Sequence, residues 1–188
     1  GFLEIAFTAL NFMRTNEVYL INYDGTSVEG WPIEVTETDN GFDFSPSLGD
    51  INNDSFLDII SIGRNGGESK IFVWDYNGQP LEGWPIVLEE WPPAVSIGNI
   101  IGDERLEILA DSKIFDYKGE SLPNWPPYPN LYSRFSPIIG DINGDSSPDI
   151  INYYNRNIYA WSSQGNLLER IYMYEYLVDI TDPKRLLQ

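Results

Sequence analysis

Two stretches of the chain place side-chain oxygens at alternating positions, which is the pattern of a cation-binding loop. They are "GDINNDSFLDII", residues 49–60, and "GDINGDSSPDII", residues 140–151. Oxygen donors stand at loop positions 1, 3, 5 and 9, as Asp50, Asn52, Asp54 and Asp58 in one copy and Asp141, Asn143, Asp145 and Asp149 in the other. A backbone carbonyl at position 7, from Phe56 or Ser147, can add a fifth oxygen. Oxygen ligands without nitrogen or sulfur favour a hard cation, and this number of ligands suits Ca²⁺ better than Mg²⁺.

The crowding of three carboxylates in one loop is costly unless a positive charge lies between them. The alternative is that these residues form solvated turns, since Asp, Asn and Gly favour turns in any case. The presence of two copies with identical spacing favours metal binding over solvated turns. A third loop carries Asn99, Asp103 and Glu107 but has Ile101 at position 3, so we expect a weak or empty site held by turn hydrogen bonds. The sequence therefore predicts two calcium ions and a doubtful third.

The composition excludes several classes of function. The 188 residues carry 29 acidic and 11 basic side chains, a net charge of -18, which disfavours nucleic acid as a partner. The chain has neither cysteine nor histidine, so thiol nucleophiles, serine-hydrolase triads and ordinary zinc sites are excluded. No apolar run approaches the roughly 18 residues of a membrane helix, so we expect no direct membrane insertion.

The chain repeats itself with a period of roughly 50 residues. The acidic position that ends each loop recurs as Glu4, Asp58, Glu107 and Asp149. Downstream of each comes a strand-like segment, a glycine (Gly25, Gly78, Gly119 and Gly165) and, six residues later, Trp31, Trp84, Trp125 or Ile171. We assign repeats to residues 1–41, 42–91, 92–134 and 135–176, with 177–188 as the start of a further repeat or a closing strand.

Each repeat is expected to hold about four short strands. In the second repeat the predicted strands are residues 45–50, 57–62, 70–76 and 84–88, with the turn glycine between the last two and Pro85 at the start of an edge strand. Sustained helical periodicity is missing from the sequence. Four-stranded units of this length predict an all-β protein, a β-propeller of stacked blades that forms a single domain or part of a larger one over residues 1–188.

The pattern D-x-N-x-D-x-x-x-D-I-I between two strands resembles the FG-GAP or VCBS repeat, a calcium-loop blade of integrin α-subunit heads and prokaryotic surface proteins. The G-x-x-x-x-G-W-P segment is similar to one in secreted prokaryotic members of that group. The resemblance implies a propeller whose calcium ions bridge the first two strands of a blade. Arg170 and Ile171 replace Gly-Trp in the fourth repeat, which leaves its outer strand uncertain.

The two ends of the chain allow two interpretations. "GFLE" matches loop positions 6 to 9, so the chain is read first as a segment of a longer propeller. "YLVDITDP", residues 176–183, resembles "SLGDINND", so it could instead supply the first strand of that opening blade. That pairing would close a ring of four blades without free edges.

No catalytic constellation stands out in the sequence. The well-placed carboxylates belong to the loops, and Asp39, Asp43, Glu89 and Glu90 are interpreted as solvated charges. The repeated tryptophans are expected to pack between blades, whereas the segments around Trp91 and at 126–135 are contact candidates. We therefore expect a secreted or cell-surface, non-catalytic module for binding or adhesion to a protein, a glycan or other copies. The alternative is an accessory or catalytic propeller of a secreted polysaccharide lyase or hydrolase.

Overall fold

The structure, a computed structural model, describes residues 4–10, 16–36, 45–65, 67–89, 94–110, 113–123, 125 and 136–172. These residues form strands and turns. The strands are β1 (Glu4–Leu10), β2 (Asn16–Asn22), β3 (Ile33–Val35), β4 (Ser47–Gly49), β5 (Asp58–Asn65), β6 (Glu68–Trp74), β7 (Ile86–Leu88), β8 (Val95–Gly98), β9 (Glu107–Ala110), β10 (Lys113–Phe115), β11 (Ile138–Gly140), β12 (Asp149–Tyr154), β13 (Asn157–Ser162) and β14 (Leu167–Tyr172). Over the same residues, no helix has the length and apolar character needed to cross a membrane.

The strands form four antiparallel sheets in chain order. The first sheet is β1-β2-β3, the second β4-β5-β6-β7, the third β8-β9-β10 and the fourth β11-β12-β13-β14. Every strand pairs with its neighbour along the chain, so each sheet is a meander. The all-β prediction is confirmed, and the arrangement of the sheets in a closed propeller stays a prediction.

The anchor residues of the predicted repeat lie at equivalent places in the four sheets. Glu4, Asp58, Glu107 and Asp149 are the first residues of β1, β5, β9 and β12. Each predicted strand of the second repeat is found with shifted ends. The strand β5 continues to Asn65, which pairs with Glu68 at the start of β6, and β6 ends at Trp74 because Asp75 opens the next turn. The strand β7 begins after Pro85, which has no N–H for a ladder.

The four turn glycines have positive φ, which glycine adopts more readily than other residues. The φ angles are 84° at Gly25, 80° at Gly78, 76° at Gly119 and 80° at Gly165. In the second sheet, Gly78 donates its N–H to the Asp75 carbonyl at 2.9 Å, and the Asp75 side chain accepts the Gln79 N–H at 2.7 Å. These bonds reverse the chain after β6.

The core lies between successive sheets. We call the face of a sheet that packs on the following sheet its forward face, and the opposite face its backward face. The forward face of the first sheet, with Val18 and Leu20, packs on Phe72 and Trp74. The forward face of the second sheet packs on the third sheet, with Ile60, Ile62, Ile71 and Val73 against Ile108 and Phe115. The forward face of the third sheet packs on the fourth, with Leu109 and Ile114 against Ile150.

The outer strand of the fourth sheet is present despite the loss of Gly-Trp. β14 runs without interruption over Leu167–Tyr172 and pairs with β13 through a register shift at Ala160/Trp161. Because neither glycine nor proline interrupts it, this strand begins directly after the turn at Gly165.

Some sequence predictions lie outside the described residues. They are the loop remnant at 1–3, the acidic residues Asp39, Asp43 and Glu90, the contact candidates around Trp91 and at 126–135, and the closing segment 176–183.

Candidate functional site

The three acidic loops share one backbone conformation. Positions 4 and 6 of each loop have positive φ, with 62° at Asn53 and 72° at Ser55, 80° at Gly102 and 71° at Glu104, and 82° at Gly144 and 68° at Ser146. Residues other than glycine rarely adopt this conformation. The three loops therefore share this conformation at the same two positions.

The loop between β4 and β5 is held by its own side chains. Asp50 accepts the N–H of Asp54 at Oδ1 and the N–H of Ser55 at Oδ2, both at 2.9 Å. The Asn52 Oδ1 also accepts the Asp54 N–H, at 3.0 Å, and the Asp54 Oδ1 accepts the N–H of Phe56 at 2.8 Å. The turn hydrogen bonds that the alternative interpretation expects are therefore present.

The loop between β11 and β12 repeats these bonds. Asp141 Oδ1 accepts the N–H groups of Gly144 and Asp145 at 2.7 and 3.2 Å, and Asp141 Oδ2 accepts the N–H of Ser146 at 2.8 Å. Asn143 Oδ1 accepts the N–H of Asp145, and Asp145 Oδ1 accepts the N–H of Ser147, both at 2.8 Å. The bond from Ser147 lowers the pKa of Asp145. Position 7 thus acts as an N–H donor in both loops, and a calcium-binding role for its carbonyl oxygen stays a prediction.

The ninth loop position differs from the others because its carboxylate is buried. Asp58 and Asp149 are each 0% exposed. The Oδ2 of Asp58 accepts the N–H of Ile51 at 2.8 Å, and that of Asp149 accepts the N–H of Ile142 at 3.0 Å. In both residues the Oδ1 atom is buried without a hydrogen-bond partner. An unpaired buried carboxylate oxygen is costly, and either a hydrogen-bond donor or a cation beside it would lower that cost.

The pKa of Asp58 reflects the burial of its carboxylate. Burial raises its pKa to about 6, and the negative charges of Asp54 and Asp50 add to the shift, while the backbone N–H groups of Ile51 and Asn52 oppose it. The ionised form is therefore disfavoured in the ion-free loop. A divalent cation would reverse the balance by favouring the ionised carboxylate.

The third loop has different hydrogen bonds. Glu107 Oε2 accepts two backbone N–H groups, from Ile100 at 2.6 Å and from Ile101 at 3.2 Å. Asn99 Oδ1 accepts the Gly102 N–H at 2.7 Å, and Asp103 Oδ1 accepts the Arg105 N–H at 3.0 Å. Burial raises the pKa of Glu107. The Ile101 side chain supplies no oxygen and is 49% exposed, so this loop has a poorer donor set than the other two.

Across the described residues, no three acidic side chains are grouped so as to hold a metal ion. Carboxylates at loop positions 1 and 5 are instead turned toward backbone N–H groups, as Asp50 and Asp54 show. The side chain of Asn52 donates to Asp54 Oδ2 at 3.0 Å. A carboxylate oxygen that accepts one N–H keeps a second lone pair, so the donor set fits a calcium ion in its chemistry.

The repeated tryptophans pack between sheets, as predicted. The Nε1 of Trp31 donates to the Tyr76 carbonyl at 2.9 Å, and the Nε1 of Trp84 donates to the Tyr117 carbonyl at 3.0 Å. Trp31 and Trp84 meet an aromatic ring of the next sheet edge-on, at centroid distances of 6.3 and 6.4 Å, and Trp125 meets Trp161 in the same way at 6.3 Å. These rings belong to the core.

Sequence analysis missed the reason for the glycine before each of these tryptophans. A Cβ on Gly30 would collide with the carbonyl group of Asn77, and one on Gly83 with that of Lys118. The glycine of one sheet therefore lies directly against the turn of the next. Its recurrence before tryptophan in two repeats was a signal of close backbone approach, although it does not identify the partner.

Comparisons with known proteins give little support for a family. No protein-family model matches the chain, and no curated protein matches it. Among solved structures, the crystal structure of the V. cholerae biofilm matrix protein Bap1 is similar with a TM-score of 0.44 and 12% sequence identity, covering 91% of this chain and 36% of that chain. The chain thus spans about a third of the length of Bap1. Such a similarity carries no functional argument, and the resemblance to FG-GAP and VCBS repeats rests on the motifs.

Proposed function

We propose that the chain is a non-catalytic, calcium-stabilised module of the β-propeller type that serves in binding or adhesion outside the cell. The observation that carries the calcium part is the buried Oδ1 atom of Asp58 and of Asp149, which has no hydrogen-bond partner. The two atoms occupy the same position in two loops of the same conformation.

Calcium would be held by the oxygens of loop positions 1, 3, 5 and 9. These are Asp50, Asn52, Asp54 and Asp58 in one loop and Asp141, Asn143, Asp145 and Asp149 in the other. The ion would supply two positive charges to a loop with three carboxylates, so its role would be structural. Sites in extracellular modules bind with dissociation constants of about 10⁻⁴ to 10⁻³ M, which extracellular calcium fills.

The propeller part is supported by the regular packing of the sheets. Three successive interfaces use equivalent faces, and a Trp–carbonyl hydrogen bond recurs at the first two. Neighbour-on-neighbour packing of equivalent units is the principle of a β-propeller.

The binding part of the proposal is supported by the contacts of the tryptophan and carboxylate side chains. The tryptophans Trp31 and Trp84 are 6% and 7% exposed, and the loop carboxylates are engaged in their turns. Glu89 is exposed at the end of an outer strand, as expected for a solvated charge. This leaves the segments that differ between repeats, around Trp91 and at 126–135, as the proposed contact regions.

A glycan array and a polysaccharide digestion assay, both run with the intact chain in calcium, test the function. Glycan binding that is lost in Trp91→Ala, but kept in the matched variant Trp84→Phe, would identify a sugar-binding module. Release of unsaturated or reducing ends from a polysaccharide would contradict the non-catalytic proposal and favour the lyase or hydrolase alternative.

A further inference from the structure

The turn that follows β6 packs directly against the first sheet. Trp31 of the first sheet donates its Nε1–H to the Tyr76 carbonyl at 2.9 Å. The Tyr76 side chain packs against the core cluster in which Val18 and Leu20 meet the backward face of the second sheet. Tyr76 therefore belongs to the interface between the two sheets through its backbone and through its side chain.

The same tyrosine contacts the acidic loop of its own sheet. The ring of Phe56, at loop position 7, has its centroid 6.1 Å from that of Tyr76, with an angle of 39° between the ring planes. This separation is within the range of favourable aromatic pairs. The loop fixes the backbone of Phe56, because the Phe56 N–H donates to Asp54 Oδ1 at 2.8 Å. A continuous series of contacts thus runs from Asp54 through Phe56 and Tyr76 to Trp31.

The third sheet repeats this series with different side chains. Arg105 stands at loop position 7, its N–H donates to Asp103 Oδ1 at 3.0 Å, and its guanidinium carbon lies 4.5 Å from the centroid of the Tyr117 ring. The Tyr117 carbonyl accepts the Trp84 Nε1–H at 3.0 Å, and the Tyr117 side chain packs against the core between the second and third sheets. An aromatic pair in one sheet and a cation–π pair in the next thus join the same two places.

The fourth sheet has the same loop but carries serine at both places. Loop position 7 is Ser147, and the turn residue that corresponds to Tyr76 is Ser163. The backbone bond of the loop is kept, since the Ser147 N–H donates to Asp145 Oδ1 at 2.8 Å. The preceding tryptophan, Trp125, still packs edge-on against the fourth sheet. This sheet is therefore an internal control in which the loop and the tryptophan are present without the ring contact.

We propose that loop position 7 and the turn tyrosine couple the acidic loop of one sheet to the packing of the preceding sheet. In the second sheet, a change in the loop reaches Trp31 through Phe56 and Tyr76. A calcium ion would act at Asp54, whose Oδ1 holds the backbone of Phe56. Calcium as the trigger rests on the proposed function, whereas the coupling itself does not. Because coupling between two sites is reciprocal, loss of the Trp31 contact should also weaken calcium binding in this loop.

A double-mutant cycle in chelator tests the coupling without a metal. Phe56→Ala removes the ring from the loop, and Trp31→Phe removes the N–H donor while it keeps an aromatic ring. If the two residues act through Tyr76, the double variant should lose less free energy of unfolding in urea than the sum of the two single losses. Tyr76→Ser, which copies the residue of the fourth sheet, should make the two losses additive. Additive losses with Tyr76 in place would overturn the proposal.

The fourth sheet supplies the matched control for this cycle. Ser147→Ala and Trp125→Phe change the residues that correspond to Phe56 and Trp31, but no ring pair joins these two positions through Ser163. Their losses in the free energy of unfolding should therefore add. A deviation from additivity as large as that of Phe56 and Trp31 would show that the rings are not what couples a loop to the preceding sheet, and it would overturn the proposal.

Calcium calorimetry on the intact chain tests the reciprocal effect. In an Asp149→Asn background, which removes a ligand of the fourth-sheet site, Trp31→Phe should weaken calcium binding by about 5-fold or more. In an Asp58→Asn background, Trp125→Phe should leave the calcium affinity of the fourth-sheet loop unchanged. Equal affinities with and without Trp31→Phe would contradict transmission from the calcium site. If the parent chain binds no calcium, the proposed calcium sites fail, and the cycle in chelator alone decides the coupling.

Discussion

Asp58 and Ile51 are both fully buried, and the carboxylate of Asp58 accepts the backbone N–H of Ile51 at 2.8 Å. The bond ties the start of β5 to the start of the acidic loop. It satisfies one oxygen of the carboxylate and leaves the other, Oδ1, buried without a partner. The carboxylate of Asp149 likewise accepts the Ile142 N–H at 3.0 Å, although the Ile142 side chain is 50% exposed. The loops are thus closed by a carboxylate that still lacks a counter-charge.

The first prediction concerns the pH dependence of the metal-free protein. Because the folded-state pKa of Asp58 is about 6 and that of an unfolded aspartate is near 3.9, the folded state binds more protons between these values. The free energy of unfolding should therefore fall as the pH rises from about 4 to about 6, and then level off. Urea unfolding of calcium-free protein measures this slope. Asp58→Asn should make it shallower, and an identical slope in the variant would contradict the assignment.

The second prediction separates the calcium role of the loops from their turn role. Asp54→Asn and Asp145→Asn keep an oxygen that can accept the N–H of position 7 but remove a charge. Both should melt close to the parent protein in chelator and gain less stability when calcium is added. At a calcium concentration about 100 times the dissociation constant, one site contributes about 2.7 kcal/mol. Asp103→Asn is the matched control, and equal calcium gains in all three variants would exclude a metal role.

The third prediction tests the contact between a sheet and the turn of its successor. Gly30→Ala should destabilise strongly, because its φ is 91° and the added Cβ would collide with the Asn77 carbonyl. Gly25→Ala has a similar φ of 84° but open space around the Cβ, so it should cost only the backbone strain of roughly 1 kcal/mol. Chemical denaturation gives both values. Equal losses would show that the packing between sheets contributes nothing at Gly30.

The fourth prediction concerns the tryptophan hydrogen bond. Trp84→Phe removes the donor to the Tyr117 carbonyl and leaves a carbonyl group without its partner, at a cost of about 1–3 kcal/mol beyond the lost ring area. Trp125 has a buried Nε1 without a partner among the described residues, so Trp125→Phe should cost less. Denaturation of both variants measures the difference. A larger loss at Trp125 would contradict this account.

The sequence predicted the parts of the fold that local chemistry determines. The spacing of Asp50, Asp54 and Asp58 located the loop, and Gly78 located the turn, because each depends on residues near in the chain. The strand ends were less accurate, since β5 and β6 lengthen by pairing with each other.

Apart from the packing of the repeated tryptophans, the contacts between sheets were not predicted from the sequence. The collision partner of Gly30 is 47 residues away at Asn77, and nothing in the local pattern specifies it. The burial of Asp58 was also missed, although Ile51, at position 2 of the same loop and 0% exposed, indicated an apolar layer beneath the carboxylate.

A calorimetric titration of calcium into the metal-free intact chain tests the central claim most directly. Two binding events per chain are expected, with dissociation constants in the range of about 10⁻⁴ to 10⁻³ M. Asp58→Asn and Asp149→Asn should each remove one of them, while Glu107→Gln should leave both. The absence of binding heat at several temperatures, or binding that is unchanged in both Asp variants, would contradict the assignment of the loops as calcium sites.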